Sequence, residues 1–428
     1  MQEYLNLLKR NRNYRYLWWG NVVSLLGDWF NLIASAEIIT EISNSGVAIS
    51  YLFLARFLPL FFFSPLAGVI ADRYDRKKIL VVTDILRALT VLGFLLVAVT
   101  GYVWLLYLLT VVQFALSALF TPARSAVLAN VVEEEDLLTA NALDSFTWST
   151  MLAIGALLGG LVASLFGANT AFVLDALTYL VSALLLVRIV LPKRDVVDVG
   201  GQASGWLDFV EGFRYLWQRP FLFGLSLVKA GGSFVWGAIN VLEIQYADEV
   251  FSLSRVSFAP NIEISDGGTA TLGLIYLMSG LGTGLGPLFM RRILGDSTRK
   301  MLVGIGIGFA LTAVGILGLG YASTLGVFLV FTAVRTVGSG TIWVFSAVLL
   351  QLMVPDRYRG RVFAFEFAIL TLTQSISILL AGYGIDNLGI SLPGVTKLFG
   401  LLGVLVSFCW LVFFYMVRAR KKEAYAAD

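Results

Sequence analysis

Asp28, Arg56, Asp175, Lys229 and Arg335 stand inside stretches that are otherwise apolar over membrane-length distances. An ionised side chain buried in a bilayer costs roughly 3 kcal/mol or more, so each needs a partner or a water-filled cavity. At about 1.5 Å per residue, Asp28, Arg56 and Asp175 come to similar depths below their helix ends. Two acids around one arginine leave one net negative charge, a set suited to taking up and releasing a proton. Asp28 is the first choice for the carrier; a static ion-pair network is the alternative. Lys229 and Arg335 have no acid on their own helices to meet. Either can face an anionic group of a substrate. Otherwise Lys229 pairs with Asp28 or Asp175, and Arg335, in the outer half of its run, reaches Glu243. Trp148, Trp236 and Trp343 fall deep enough to line an apolar cavity, with core packing as the plainer role. Glu243, Glu37 and Asp386 lie near outer helix ends and read as solvated caps.

A second set is the short polar segment SPLAGVIADRYDRKKIL at 64–80, which separates two long apolar runs. Gly68, Asp72, Arg73, Arg76 and Lys77 form a basic cluster joined to an acid, able to pair with neighbouring helix ends and hold the cytoplasmic side in one conformation. The simpler alternative is a charge cluster that only sets orientation. Asp84 and Arg87, one helical turn apart, are expected to brace this loop, as is Glu366.

The elements that position these residues follow from composition. The 428 residues are 58% apolar and only 14% charged, against roughly 25% charged in soluble domains. Mean hydropathy is +0.83, which places the chain among polytopic membrane proteins. A net charge of +3 argues against a nucleic-acid partner. The single Cys409 excludes an internal disulfide and a CxxC metal site. Histidine is absent, which removes the commonest metal ligand, so no metal and no cofactor is expected and proton chemistry falls to carboxylates. No small-residue cleavage site follows a short apolar core, so the first span is expected to be retained after an amphipathic, interfacial start over 1–15.

A bilayer core of about 30 Å needs roughly 20 apolar residues per helix. Such runs fall near 16–40, 46–70, 78–100, 102–124, 140–166, 169–191, 220–246, 270–292, 301–320, 324–353, 361–386 and 395–418. With both termini cytoplasmic, 25 of the 31 Lys and Arg lie on the inner side, as the positive-inside rule requires. Short matches recur at an offset of about 222 residues: Ser64-Pro65-Leu66 with Gly286-Pro287-Leu288, and Arg76-Lys77 with Arg299-Lys300. The expectation is an all-α membrane protein of twelve transmembrane helices in two six-helix pseudo-symmetric halves. The N-terminal bundle covers 16–191, a cytoplasmic linker with an amphipathic helix 192–219, the C-terminal bundle 220–418 and a tail 419–428. The external segment 248–269 reads as solvated, with no site.

Gly68-x-x-x-Asp72-Arg73-x-x-Arg76-Lys77 between the second and third runs resembles the loop signature of the major facilitator superfamily, and the resemblance extends over the whole chain. Asp75 stands where many members have glycine. LARFLP at 54–59, FTPARSAVLANVV with LLTANAL across 120–143, DALTYLVSALLL at 175–186 and RGRVFAF at 359–365 are similar to the drug/proton antiporter branch that contains macrolide-efflux and siderophore-export proteins. Gly155-x-x-x-Gly159-Gly160 resembles the antiporter signature of the fifth helix, except that Gly160 replaces its proline; close helix packing explains it equally well. The resemblance implies that Asp72 meets the start of the eleventh helix near Arg361. It also implies alternating access and a substrate site between the halves near midplane.

The function expected is secondary active transport of a small amphipathic molecule, as proton-coupled export of a drug, macrolide or siderophore-like compound. Two alternatives stand beside it: a translocator of lysophospholipid or other lipid, and a non-transporting receptor or scaffold. No nucleophile–base pair or metal set is evident, so no enzyme is expected. The partners expected are a small-molecule substrate, protons and the lipid bilayer of the cell (inner or plasma) membrane. The chain is expected to act as a monomer.

Overall fold

Apolar length decides the elements. In the computed structural model, which describes residues 2–43, 45–191, 205–253, 257–259, 262–263, 267–295 and 297–426, nearly all of the chain is helical. Helices α1 (Gln2–Arg10), α2 (Arg12–Ser43), α3 (Gly46–Arg73), α4 (Arg76–Gly93), α5 (Leu95–Thr100) and α6 (Val103–Val131) come first. They are followed by α7 (Leu137–Thr150), α8 (Ala156–Phe166), α9 (Ala168–Val187) and α10 (Gly205–Trp217). Then come α11 (Pro220–Ser226), α12 (Val228–Trp236), α13 (Ile239–Gln245) and the short antiparallel strands β1 (Ser257–Ala259) and β2 (Ile262–Glu263). The chain ends with α14 (Gly267–Leu294), α15 (Thr298–Leu319), α16 (Leu325–Met353), α17 (Asp356–Asp386) and α18 (Leu392–Ala426). Among the described residues, twelve segments are long and apolar enough to cross a membrane, matching the twelve runs of the sequence.

Three of the twelve are interrupted. The third is α4 with α5, and the fifth joins α7 to α8 through a π-helical turn at Met151–Gly155. The seventh, Pro220–Val250, is the most broken: α11 stops at Leu227 and α12 stops at Gly237. Backbone groups freed at such a break must be satisfied within protein. The Ser377 hydroxyl of α17 accepts from the Ala238 amide at 2.8 Å, and the Ser233 hydroxyl of α12 donates to the Leu370 carbonyl at 3.1 Å. These bonds bind the broken helix to α17 and fix the azimuth of both.

Helix starts follow side-chain chemistry. Ser45 caps α3 by accepting from the Ala48 amide at 3.2 Å. Asp75, the departure from the family pattern, caps α4: its Oδ1 accepts from the amides of Lys77 at 2.9 Å and Lys78 at 3.2 Å. A glycine there leaves those donors to water, whereas the carboxylate satisfies both and faces the positive end of the helix dipole. Asp75→Ala is expected to lower stability by about 1 kcal/mol and Asp75→Gly by only a few tenths, read as ordered shifts in thermal midpoint of the purified protein. Equal midpoints for the three proteins would show that the cap carries no weight.

The chain divides into two compact units, Met1–Leu207 with Ala247–Leu277, and Asp208–Tyr246 with Met278–Asp428. The grouping departs from chain order because the N-terminal end of α14 lies on α8. A Cβ added at Gly160 would come within 2.9 Å of the Thr269 carbonyl and 3.0 Å of the Gly273 Cα. The small residues of the fifth span therefore serve close backbone packing here. At the other end of this unit Leu7 of α1 is buried with Tyr14, Leu17, Phe120 and Leu186. Asn11 Nδ2 donates to the Val131 carbonyl at 2.5 Å and Asn13 Nδ2 to the Val190 carbonyl at 2.9 Å. In the second unit, α10 lies against the start of α17, with Tyr215 stacked on Tyr358 at 4.2 Å and Phe213 at 5.6 Å from Phe365.

Candidate functional site

In the first unit α2, α4, α6 and α9 bring their polar residues together. Gly27 makes this possible: a Cβ there would collide with Thr178 Oγ1 and Asp175 Oδ1, so only glycine lets α2 approach α9 closely. One residue later, Asp28 receives a hydrogen bond from the Tyr179 hydroxyl at 2.5 Å, and Gln113 Nε2 donates to that same hydroxyl at 3.1 Å. Beneath them Arg87 forms an ion pair with Asp84. Its guanidinium lies 4.5 Å from the Tyr179 ring centre and 4.3 Å from that of Phe120. Tyr179, Gln113, Asp84 and Arg87 are all buried, while Asp28 keeps partial exposure.

The expected Asp–Arg–Asp set is not joined by ion pairs among the described residues. Arg56 instead lies over the Phe114 ring at 4.4 Å, and its Nη1 has no hydrogen-bond partner. Asp175 is fully buried; Thr178 Oγ1 approaches its Oδ1 at 3.5 Å, and its Oδ2 has no partner. The three charges are close enough to act on one another without touching. A cation held by an aromatic face (worth about 0.5–2 kcal/mol) does not need a carboxylate at contact distance, which is why depth along the helices did not translate into pairing.

In the second unit Lys229 on α12 pairs with Glu366 on α17, Nζ to Oε2 at 3.1 Å. This corrects the pairing expected with Asp28 or Asp175, and it gives Glu366 a role other than bracing the Arg73 loop. The Lys229 ammonium also lies 4.6 Å from the Trp343 ring centre and 5.9 Å from that of Phe363. Arg335 meets Glu243 at 2.5 Å and donates to Ser279 Oγ at 3.3 Å. Glu243 is therefore no solvated cap: it is 2% exposed, held inside by a cation that offsets the cost of a buried carboxylate. Glu37, also expected at a solvated end, is buried too, whereas Asp386 is exposed. Of the tryptophans, Trp236 packs on the core of this unit. Trp343 is about half exposed, as is Trp148 in the first unit.

The side chains of Gly68, Asp72 and Arg73 lie outside the described residues, so the expected meeting of Asp72 with Arg361 falls outside them as well. Arg76 and Lys77 open α4. Arg361 pairs with Glu211 of α10, Nη1 to Oε2 at 2.5 Å, a partner that no motif suggested. Tyr179 was equally hidden, although it stands one turn after Asp175 in an apolar run, where a hydroxyl has few other reasons to be. Glu366 and Lys229 lie eight and nine residues inside the N-terminal ends of their spans, Tyr358–Asp386 and Pro220–Val250, a coincidence of depth that could have paired them.

Twelve membrane-length helices, with charged side chains buried among them, mark a polytopic membrane protein. The chain belongs to the Major Facilitator Superfamily, whose family model matches residues 17–262. It is 29% identical over 384 residues to an uncharacterized transporter of this type, YfiS of Bacillus subtilis, covering 86% of each chain. It is 26% identical over 386 residues to macrolide efflux protein A of Streptococcus pyogenes, covering 88% of this chain and 90% of that one. The fold is similar to that of the nucleoside transporter NupG, with a TM-score of 0.70 at 14% identity, across 93% of this chain and 100% of that one.

Proposed function

We propose that the chain is a secondary active exporter of small amphipathic molecules, driven by proton entry and working by alternating access in the cell (inner or plasma) membrane with both termini cytoplasmic. The observation that carries the reading is Asp28. It is a partly exposed carboxylate in mid-span with one hydrogen-bond donor, Tyr179, and no ion pair among the described residues. A carboxylate without a counter-cation exchanges its charge for a proton without breaking a salt bridge, so it can load and unload in each cycle. Asp175 and Arg56 set the field around it. In this reading Gly68, Asp72, Arg73, Arg76 and Lys77 are the cytoplasmic gate, and Lys229, Arg335, Trp148, Trp236 and Trp343 belong to the substrate path. The likeness to macrolide efflux protein A supports export and an amphipathic substrate.

The test is flux in proteoliposomes under an imposed pH gradient, with a panel that includes a macrolide and a lysophospholipid. Accumulation of at least one amphipathic compound is expected to follow the gradient and to collapse with a protonophore. Asp72→Asn is expected to slow it without loss of membrane insertion. Movement that ignores the gradient would instead favour a lipid-type translocator, and silence across the panel a receptor or scaffold.

A further inference from the structure

The buried pair Lys229–Glu366 leaves hydrogen-bonding capacity unused on both partners. Both residues are buried, at 6% and 2% exposure. Yet Glu366 Oε1 has no hydrogen-bond partner, and Lys229 makes one hydrogen bond although an ammonium has three donors. Arg335 in the same unit shares its Nη2 between Glu243 and Ser279; there the orphaned atom is the Nε of the cation, and Glu243 has no orphaned oxygen. The cover over Lys229 also differs. Trp343 is 45% exposed, so one side of its ring meets the ammonium while the side chain remains reachable from outside the pair.

The three residues share one level. Lys229 is nine residues inside its span from Pro220, Glu366 eight from Tyr358 and Trp343 ten from Met353, or about 12–15 Å along each helix. Lys229 also sits between the breaks at Leu227 and Gly237, where the helix is in short pieces.

Charge accounting then restricts what can bind. A cation taken by Glu366 displaces Lys229 and strands it as a lone buried charge. An anion taken by Lys229 strands Glu366 in the same way. Leaving one member of a buried pair uncompensated is strongly unfavourable. A molecule carrying both charges avoids the penalty, because it supplies a donor for the orphaned Oε1 and an acceptor for the unused ammonium hydrogens. The faces of Trp343 and Phe363, which already attract the lysine ammonium, attract a substrate ammonium equally.

We infer that the Lys229–Glu366 pair under Trp343 is a recognition site for zwitterionic small molecules, such as amino-acid or short-peptide compounds, with the ammonium directed to Glu366 and the carboxylate to Lys229. The inference rests on reading the chain as a small-molecule transporter and names a substrate class for it.

Three forms of one probe test it on the full-length protein in nanodiscs by calorimetry: the dipeptide Leu-Phe, its C-terminal amide and its N-acetyl derivative. The dipeptide is expected to bind at least tenfold tighter than either singly charged form. Glu366→Gln and Lys229→Met should each weaken it at least tenfold. Trp343→Leu, at a half-exposed position that the fold tolerates, should weaken it severalfold with an unchanged size-exclusion profile. An amide that binds as well as the dipeptide makes this a cation site, and an N-acetyl form that does so makes it an anion site; either overturns the inference. So does absence of binding by all three, or dipeptide affinity indifferent to Glu366 and Lys229. The comparison of probes needs no variant, so a variant that fails to fold does not blunt it. Dipeptide binding without gradient-driven flux would sink proton-coupled export and leave this site standing, whereas flux of another compound without dipeptide binding would do the reverse.

Discussion

Replacing Asp28 by asparagine is expected to abolish accumulation driven by a pH gradient while leaving exchange of substrate across the membrane intact. The argument rests on what the substitution preserves. The side-chain carbonyl of the introduced asparagine can still accept from the Tyr179 hydroxyl, which lies 2.5 Å from Asp28 Oδ1, so packing of α2 on α9 is kept. What is lost is the change of charge. A protein whose site is permanently neutral can still alternate, because nothing is left to hold the unprotonated state, but it cannot tie that movement to a proton. Counterflow in the absence of a gradient should therefore persist at a substantial fraction of the wild-type rate, with accumulation falling to that of empty liposomes. Tyr179→Phe makes the complementary case. It retains the carboxylate and hence the coupling, but removes a hydrogen bond to a charged group worth about 1.5–3 kcal/mol and leaves Gln113 without its acceptor. Slower turnover with coupled accumulation is the expected outcome. Asp28→Asn protein that accumulates substrate at full strength would place the proton elsewhere, with the buried Asp175 next in line.

The second large effect is on stability. Arg335 and Glu243 are 7% and 2% exposed and meet at 2.5 Å. Removing one partner leaves the other charged and buried, at a cost of about 3–5 kcal/mol, while replacing both by apolar side chains of similar volume is often neutral or favourable. Arg335→Met and Glu243→Met are each expected to lower the thermal midpoint by many degrees and to reduce the yield of monodisperse protein. The double variant Arg335→Met with Glu243→Met should recover most of the loss. A double-mutant cycle on midpoints gives the coupling directly. Additive losses would mean that each residue packs for its own reasons and that the pair is incidental.

How much of this was legible beforehand differs by residue. The spans and their number follow from length and hydropathy, each a property of the chain in one dimension. Depth is equally legible, since it is counted along a helix. The cap at Asp75 was visible as a departure from a pattern, though its cause, two amides of α4, was not. Lys229 was recognised as a costly charge, with a substrate anion or Asp28 or Asp175 as its alternatives, and Glu366 was not among them. Arg335 was matched with Glu243, while Glu243 was also taken for a solvated cap. Tyr179, inside DALTYLVSALLL, and Glu211 were not singled out, because a hydroxyl or a carboxylate becomes part of a site only through what it faces.

The sequence by itself therefore determined the class of protein, its twelve helices and the set of charges that must be accommodated inside them. Tertiary structure decided what each charge meets: Lys229 with Glu366, Asp28 with Tyr179 and Arg56 with Phe114, and it selected Glu243 from the alternatives for Arg335. The reason is geometric. Apolar patterning states that a residue lies in the membrane and at what height. Its partner depends on the rotation of each helix about its axis, and that rotation is set by glycines such as Gly27 and by hydroxyls such as Ser377 that fit one helix to another.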